Sequence, residues 1–227
     1  MLFRSMGINE MNCDFIKYNN CEIRRGDRPA GASFDRRLAT NRGGIICAYS
    51  KRGPQIRSCI FRQTGDDAIA VFGRLSQLYA INPFDSRKVQ IISRRAIAKD
   101  DELRFFINGG NSSSFLTAAA SESMYIGQTP DGVAIFELVL KNALPQNASH
   151  NDYLCNITWC GAGFVIDGNE ISNSHSRGIV IKSECSPSSA GQIGNNTIER
   201  IKSCGILLYN APNQTMEGAT LPQCQHR

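Results

Sequence analysis

The chain has 227 residues, 41% hydrophobic and 20% charged, and a formal net charge of +5 from 25 basic and 20 acidic side chains. That length supports one sizeable or two small cores, and no window approaches the ~18 apolar residues of a membrane span, so no membrane partner is expected. The basic residues lie scattered among carboxylates, which excludes a concentrated nucleic-acid footprint but is compatible with an anionic ligand such as an acidic polysaccharide. At the amino end, Met1 to Ser5 lack the apolar core and small-residue cleavage site of a signal peptide. Strand-like sequence begins almost at once, around Phe15-Ile16. A stack of strands opening there would leave an unpaired edge. The expectation is therefore a fragment or a mis-started reading frame, with any signal peptide upstream.

Further along, three segments align: Ile56 to Phe61 leading to Ala68-Ile69, Ile166 to Ile171 leading to Gly178-Ile179, and Ile193 to Ile198 leading to Gly205-Ile206. Each carries a second apolar residue five positions after the first, then a small residue, then an alternating apolar pair. The pairs are Ile69 and Val71, Ile179 and Ile181, Ile206 and Leu208. Alternation of period two predicts short strands with one buried face, and the small residue marks the bend that starts each strand. An earlier unit fits when Ile23 matches Phe61 and Gly44 to Cys47 match Ala68 to Val71, with the polar loop Arg24 to Gly43 as extra length. Strands this short cannot each bury a face alone, whereas stacked rungs form one continuous core.

Two residues before the central apolar position stand Cys21, Cys59, Asn169 and Asn196. Small polar or thiol side chains at one inward bend form a ladder whose amides hydrogen-bond from rung to rung. Cys21 and Cys59 become neighbours there, which allows either a disulfide or two stacked buried thiols. Between Val71 and Val165 the pattern is interrupted. Strands are expected at Lys88 to Ser93, Leu103 to Ile107, Met124 to Gly127 and Val133 to Val139, with turns at Lys99 to Glu102 and Thr129 to Gly132. The predicted fold is all-β: a right-handed parallel β-helix with an inserted small β subdomain. Its expected segments are rungs over 1–73, the insertion over 74–150, further rungs over 151–210 and a loose polar tail over 211–227.

The nine cysteines and the five sequons at Asn111, Asn147, Asn156, Asn195 and Asn213 favour secretion, giving an extracellular monomer as the expectation. No cysteine or histidine spacing reads as a zinc site, and no phosphate-binding glycine loop is present, so neither metal nor cofactor is expected.

Chemistry concentrates at Gln63-Thr-Gly-Asp66-Asp67-Ala-Ile69. Two adjacent carboxylates before a strand match what glycosidic cleavage uses, one acid to protonate the leaving oxygen and one base or nucleophile. A Gly-Asp-Asp turn is also ordinary turn chemistry, with aspartates capping local amides. Equivalent turns carry Asp35 in the long loop of the preceding rung, and His175 and Arg177 in a later one. Asp66 and Asp67 are thus the candidate catalytic residues. Asp35, His175 and Arg177 are candidate substrate-binding residues for a polysaccharide or other glycan.

Gly53 to Phe61 followed by Gly65 to Gly73 resembles the pectate-lyase-like right-handed β-helix superfamily, nearest its α-1,3-galactosidase-like and polygalacturonase-like glycosidase branches. The insertion ending in Asp100-Asp-Glu-Leu-Arg-Phe-Phe106 resembles one in the galactosidase-like branch. The fold pattern covers most of residues 12–210, and the specific motif about 41–73. The resemblance implies a glycoside hydrolase with Asp66 and Asp67 as acid and base. This chain departs from it at Gly43, where such enzymes place an aspartate, and at Ile46 and Phe72, where they place histidine. Those departures fit an alternative, a non-catalytic carbohydrate-binding or surface-scaffold protein with an eroded site. A lyase would need calcium and a base such as Arg177 or Lys182.

Overall fold

Each pass of the chain lays down three short strands, one in each of three parallel sheets. The architecture comes from a computed structural model that describes residues 6–28, 30–33, 37–73, 75–107, 115–150, 152–183 and 190–208. Sheet 1 stacks Ile8–Met11, Ile45–Ala48, Ile69–Phe72, Ile179–Lys182 and Ile206–Leu208. Sheet 2 stacks Lys17–Asn19, Gln55–Arg57, Val165–Asp167 and Gln192–Gly194. Sheet 3 stacks Glu22–Ile23, Ile60–Arg62, Glu170–Ser172 and Thr197–Glu199. Register is exact to the residue: Ile45, Ile69, Ile179 and Ile206 pair in a row, as do Ile23, Phe61, Ile171 and Ile198. This connectivity is compatible with a β-helix-like fold. The fold is all-β, and among the described residues the only helical element is a 3-10 turn at Ile157–Trp159.

The corners explain why three-residue strands suffice. Between sheets 2 and 3 the chain turns through one residue in the left-handed region: Asn20, Ser58, Gly168 and Asn195, with φ of 53°, 52°, 65° and 51°. After sheet 3, Gln63, Asn173 and Arg200 do the same at 61°, 55° and 52°. Asparagine and glycine tolerate this conformation best, and the remaining residues accept some strain to keep the strands stacked. Gly44 opens its sheet 1 strand because a Cβ there would lie 2.5 Å from the Ala68 carbonyl oxygen and 2.9 Å from the Phe61 ring.

Ile45, Ile56, Phe61, Ile69, Val71, Ile166, Ile171, Ile179 and Ile181 fill the interior. The alternating pairs predict one buried face in sheet 1, yet both are buried in the central strands, whereas the predicted pair Ile206 and Leu208 of the last strand is exposed. The residues between the inward ones are themselves apolar, and Ile46, Ala48, Ala70, Phe72 and Val180 form a second cluster on the outer face.

The inward bend carries the expected ladder. Asn169, 1% exposed, donates from Nδ2 to the Ile56 carbonyl at 3.0 Å and to Asn196 Oδ1 at 2.8 Å. Its own Oδ1 accepts from the Cys59 amide at 2.9 Å. Asn196 Nδ2 repeats the pattern one rung on, donating to the Ile166 carbonyl at 2.9 Å. Cys59 and Cys21 continue the column as free thiols, and the Cys59 thiol lies 3.3 Å from the Arg57 carbonyl.

The insertion is a closed antiparallel barrel with strand order Glu102–Phe106, Phe115–Gln128, Ala134–Leu140, Lys88–Ile92, Leu75–Ile81, Tyr153–Asn156. Leu78, Val89, Ile91, Leu103, Phe105, Phe136, Leu138, Leu140 and Leu154 fill it. Its closing strand lies beyond residue 150, inside the stretch that the sequence assigns to rungs. Asp101, 4% exposed, ties the barrel to the chain leaving it, accepting from Asn156 Nδ2 at 2.7 Å and Trp159 Nε1 at 3.2 Å. Arg95 stacks 3.4 Å over the Trp159 ring and donates to the Tyr49 carbonyl of sheet 1's corner at 3.3 Å.

Removing the ladder amide strands the Cys59 amide in the interior. Asn169→Ala is expected to cost roughly 1–3 kcal/mol, the range for a buried polar group without a partner. Urea unfolding measures it, and an unchanged midpoint would remove the ladder from the account of stability.

Candidate functional site

The Asp66-Asp67 turn is built by the corner before it. Gln63 turns left-handed, and the next residue, Thr64, points inward over Ser174 of the following circuit. Thr64 Oγ1 lies 2.9 Å from the Asp66 carbonyl oxygen and 3.0 Å from Ser174 Oγ, itself 2.8 Å from the same carbonyl. Both hydroxyls are buried, so this brace fixes the backbone that presents the two aspartates.

The aspartates part company there. Asp66 is exposed, whereas Asp67 is 6% exposed and turns back onto the next circuit. Asp67 Oδ1 accepts from the Arg177 backbone amide at 3.2 Å, and Oδ2 lies 3.5 Å from the Arg177 guanidinium. Burial pushes the Asp67 carboxyl above its ordinary value. A hydrogen bond from Ser176 opposes that shift, the neighbouring Asp66 charge adds to it, and Arg177 again opposes it. Gly43 stacks on Asp67 from the other side: the Gly44 amide donates to the Asp67 carbonyl at 3.0 Å. A Cβ on Gly43 would meet Ile46 Cδ1 at 2.4 Å and the Asp67 carbonyl at 2.9 Å, so the position has no room for a side chain. The sheet face beyond the turn is the apolar cluster of Ile46, Ala70, Phe72 and Val180. Lys182 sits 5.4 Å over the Phe72 ring.

Of the predicted site residues, Asp66, Asp67, His175 and Arg177 occupy one column of turns. The His175 amide donates to the Thr64 carbonyl at 2.9 Å, and its side chain is exposed. Asp35 lies outside the described residues, as do the 211–227 tail and the sequons at Asn111 and Asn213. The Asn156 sequon has its amide held by Asp101.

The site sequence reasoning missed lies around the corner, on the outer face of sheet 3. A groove of about 460 Å³ is lined by Arg62, Gln63, Glu170, Asn173, Glu199 and Arg200 among others. The repeat holds the signal: positions 62, 172 and 199 share a row, and 63, 173 and 200 share the corner after it. Two rows carrying amide, hydroxyl, carboxylate and guanidinium groups thus run along the stack. Such a lining offers donors and acceptors to sugar hydroxyls.

No protein-family model matches the chain, and no curated protein matches it.

Because Asp67 is held above its ordinary value of 3.8, folding favours its protonated form. Its contribution is fully present below the unfolded value and is lost as pH rises through the folded one. Asparagine keeps the oxygen that accepts from Arg177 but never ionises. Asp67→Asn should match wild-type stability at low pH and gain on it as pH rises, in urea titrations from about pH 3 to 8. A difference that stays flat or runs the other way removes burial as the dominant influence on Asp67. Gly43→Ala, by overpacking the turn, is expected to cost about 1–3 kcal/mol, read from the unfolding midpoint.

Proposed function

We propose that this protein is a right-handed parallel β-helix that binds a glycan and does not cleave it. The observation that carries this reading is the fate of Asp67, which is buried and spent on the Arg177 amide and guanidinium. Glycosidic cleavage needs two carboxyl groups on either side of a sugar bond, with room for substrate between them. Here only Asp66 of the pair is exposed, the stacked position is Gly43, and the adjoining face is apolar. The sheet 3 groove supports retention of a sugar chain: it runs along the stack and is lined by charged and amide side chains. The reading places the protein outside the cell, as a monomer that meets polymeric carbohydrate.

A second reading keeps one observation in its favour. A carboxyl raised by burial beside an exposed carboxylate is the arrangement of a general acid and its partner. In a glycoside hydrolase of that design Asp67 would donate the proton and Asp66 would activate water.

A panel of immobilised and soluble glycans separates the two. The binding reading expects retention of at least one glycan, no reducing-end product, and undiminished retention by Asp66→Asn and Asp67→Asn. Product that vanishes in Asp67→Asn establishes the hydrolase instead.

A further inference from the structure

We propose that the sheet 3 groove is one half of a longer trough, whose other half seats an acidic group of the glycan through Arg24, Arg25, Arg28 and Arg62. The proposal rests on the glycan-binding reading and adds the charge of the ligand and its direction on the stack. A second concavity of about 370 Å³ is lined by Arg24, Arg25, Asp27 and Arg28, together with Arg62 and Gln63. Arg62 and Gln63 also line the larger groove, so the two halves meet at that corner.

The halves differ in charge. Four arginines face one aspartate in the smaller, whereas two arginines and two glutamates balance in the larger. Register produces the difference. Ile23 pairs with Phe61, so the next residues along, Arg24 and Arg62, extend from neighbouring strands on the same outward side. Rungs stand ~4.8 Å apart, so like charges here repel at close range.

Two of these arginines are held only by exposed ion pairs. Arg24 pairs with Glu22 at 2.8 Å and Arg62 with Glu170 at 3.3 Å, but the four side chains are 42–61% exposed. Exposed pairs of this kind contribute little to stability. A ligand carboxylate or sulfate can therefore take the guanidinium forks, which match its geometry in pairs, without breaking a buried network. It also relieves the repulsion that stacking imposes. The larger half cannot take a second anion on equal terms, because Glu170 and Glu199 project into it. It suits neutral units whose hydroxyls donate to those carboxylates. The trough is thus directional, acidic at the first-circuit end of the ligand and neutral beyond.

Calorimetry on the full chain tests this with three probes: a uronate tetrasaccharide, the same chain with its carboxyls reduced to alcohols, and a singly sulfated neutral tetrasaccharide. An acidic probe is expected to bind about tenfold tighter than the reduced chain, with the advantage shrinking as salt rises. Preference for the uronate or for the sulfated probe identifies which acidic group is read. The double variant Arg24→Gln, Arg28→Gln should bring that ratio close to one. Both side chains are exposed, and an unchanged unfolding midpoint confirms that the variant is folded. Equal affinity for all three probes overturns this inference and leaves the glycan-binding reading standing. A preference that survives the double variant overturns the assignment to this half of the trough. Failure of every probe to bind overturns both.

Discussion

The constraint on which this structure depends is the single left-handed residue at the corners before and after sheet 3. A strand of three residues has too few hydrogen bonds and too little buried area to persist alone. Here it persists because one left-handed residue redirects the chain and leaves the following side chain pointing inward. Ser58 is followed by Cys59, Gly168 by Asn169 and Asn195 by Asn196, and the inward residue then bonds to the rung beside it. At the next corner Gln63 is followed by Thr64 and Asn173 by Ser174, whose hydroxyls meet at 3.0 Å. Two polar columns thus satisfy the backbone groups that sharp turns would leave buried and unpaired. The apolar columns of isoleucine between them supply the driving force for stacking.

The same register governs what the surface can do. A side chain at a corner meets its counterpart one rung away, so chemistry at a turn is decided by pairs of rungs. Asp67 illustrates this. As a residue in a Gly-Asp-Asp turn it reads as an available acid, but Arg177 follows it in the column and claims the carboxylate, while Gly43 precedes it and offers none. On sheet 3 the stacking works the other way. Outward side chains escape that pairing, and Arg62, Gln63, Asn173, Glu199 and Arg200 make a polar groove. Stacked neighbours bury one carboxylate and leave another face open.

Much of this is legible in the amino-acid sequence. The isoleucine spacing gives the register of all three sheets to the residue, with Ile56, Ile166 and Ile193 paired in sheet 2, and the Cys21, Cys59, Asn169, Asn196 column is visible as a ladder. The turn column of Asp66, Asp67, His175 and Arg177 followed from the same alignment. What escaped was of two kinds. Barrel closure was not legible, because its closing strands are a short run at Tyr153–Asn156 and an Ala- and Ser-rich stretch within Phe115–Gln128, neither rich in β-branched residues. The direction of the Asp67 side chain was not legible either. A repeat fixes which residues are neighbours, but burial and a competing donor decide whether a carboxylate faces out or in. The sheet 3 groove was encoded in the outward rows, which apolar periodicity ignores by construction.

The barrel's closure is also what allows the stack to tolerate it. Its first and last strands are antiparallel neighbours, with Gln77 opposite Tyr153 and Leu75 opposite Cys155, so a chain that leaves sheet 1 after Phe72 returns beside its exit. The stack resumes at once: the Val165 amide donates to the Pro54 carbonyl at 2.9 Å and the Gly73 amide to the Lys182 carbonyl at 2.6 Å. Bringing distant segments together over a flexible loop costs entropy that grows with loop length, whereas a folded insertion with adjacent ends holds them together. Arg62 and Glu170 meet across the groove although 108 positions separate them in sequence. Asp101, Arg95 and Trp159 at the foot of the barrel hold the returning chain where it begins the circuit that carries Glu170 to the groove.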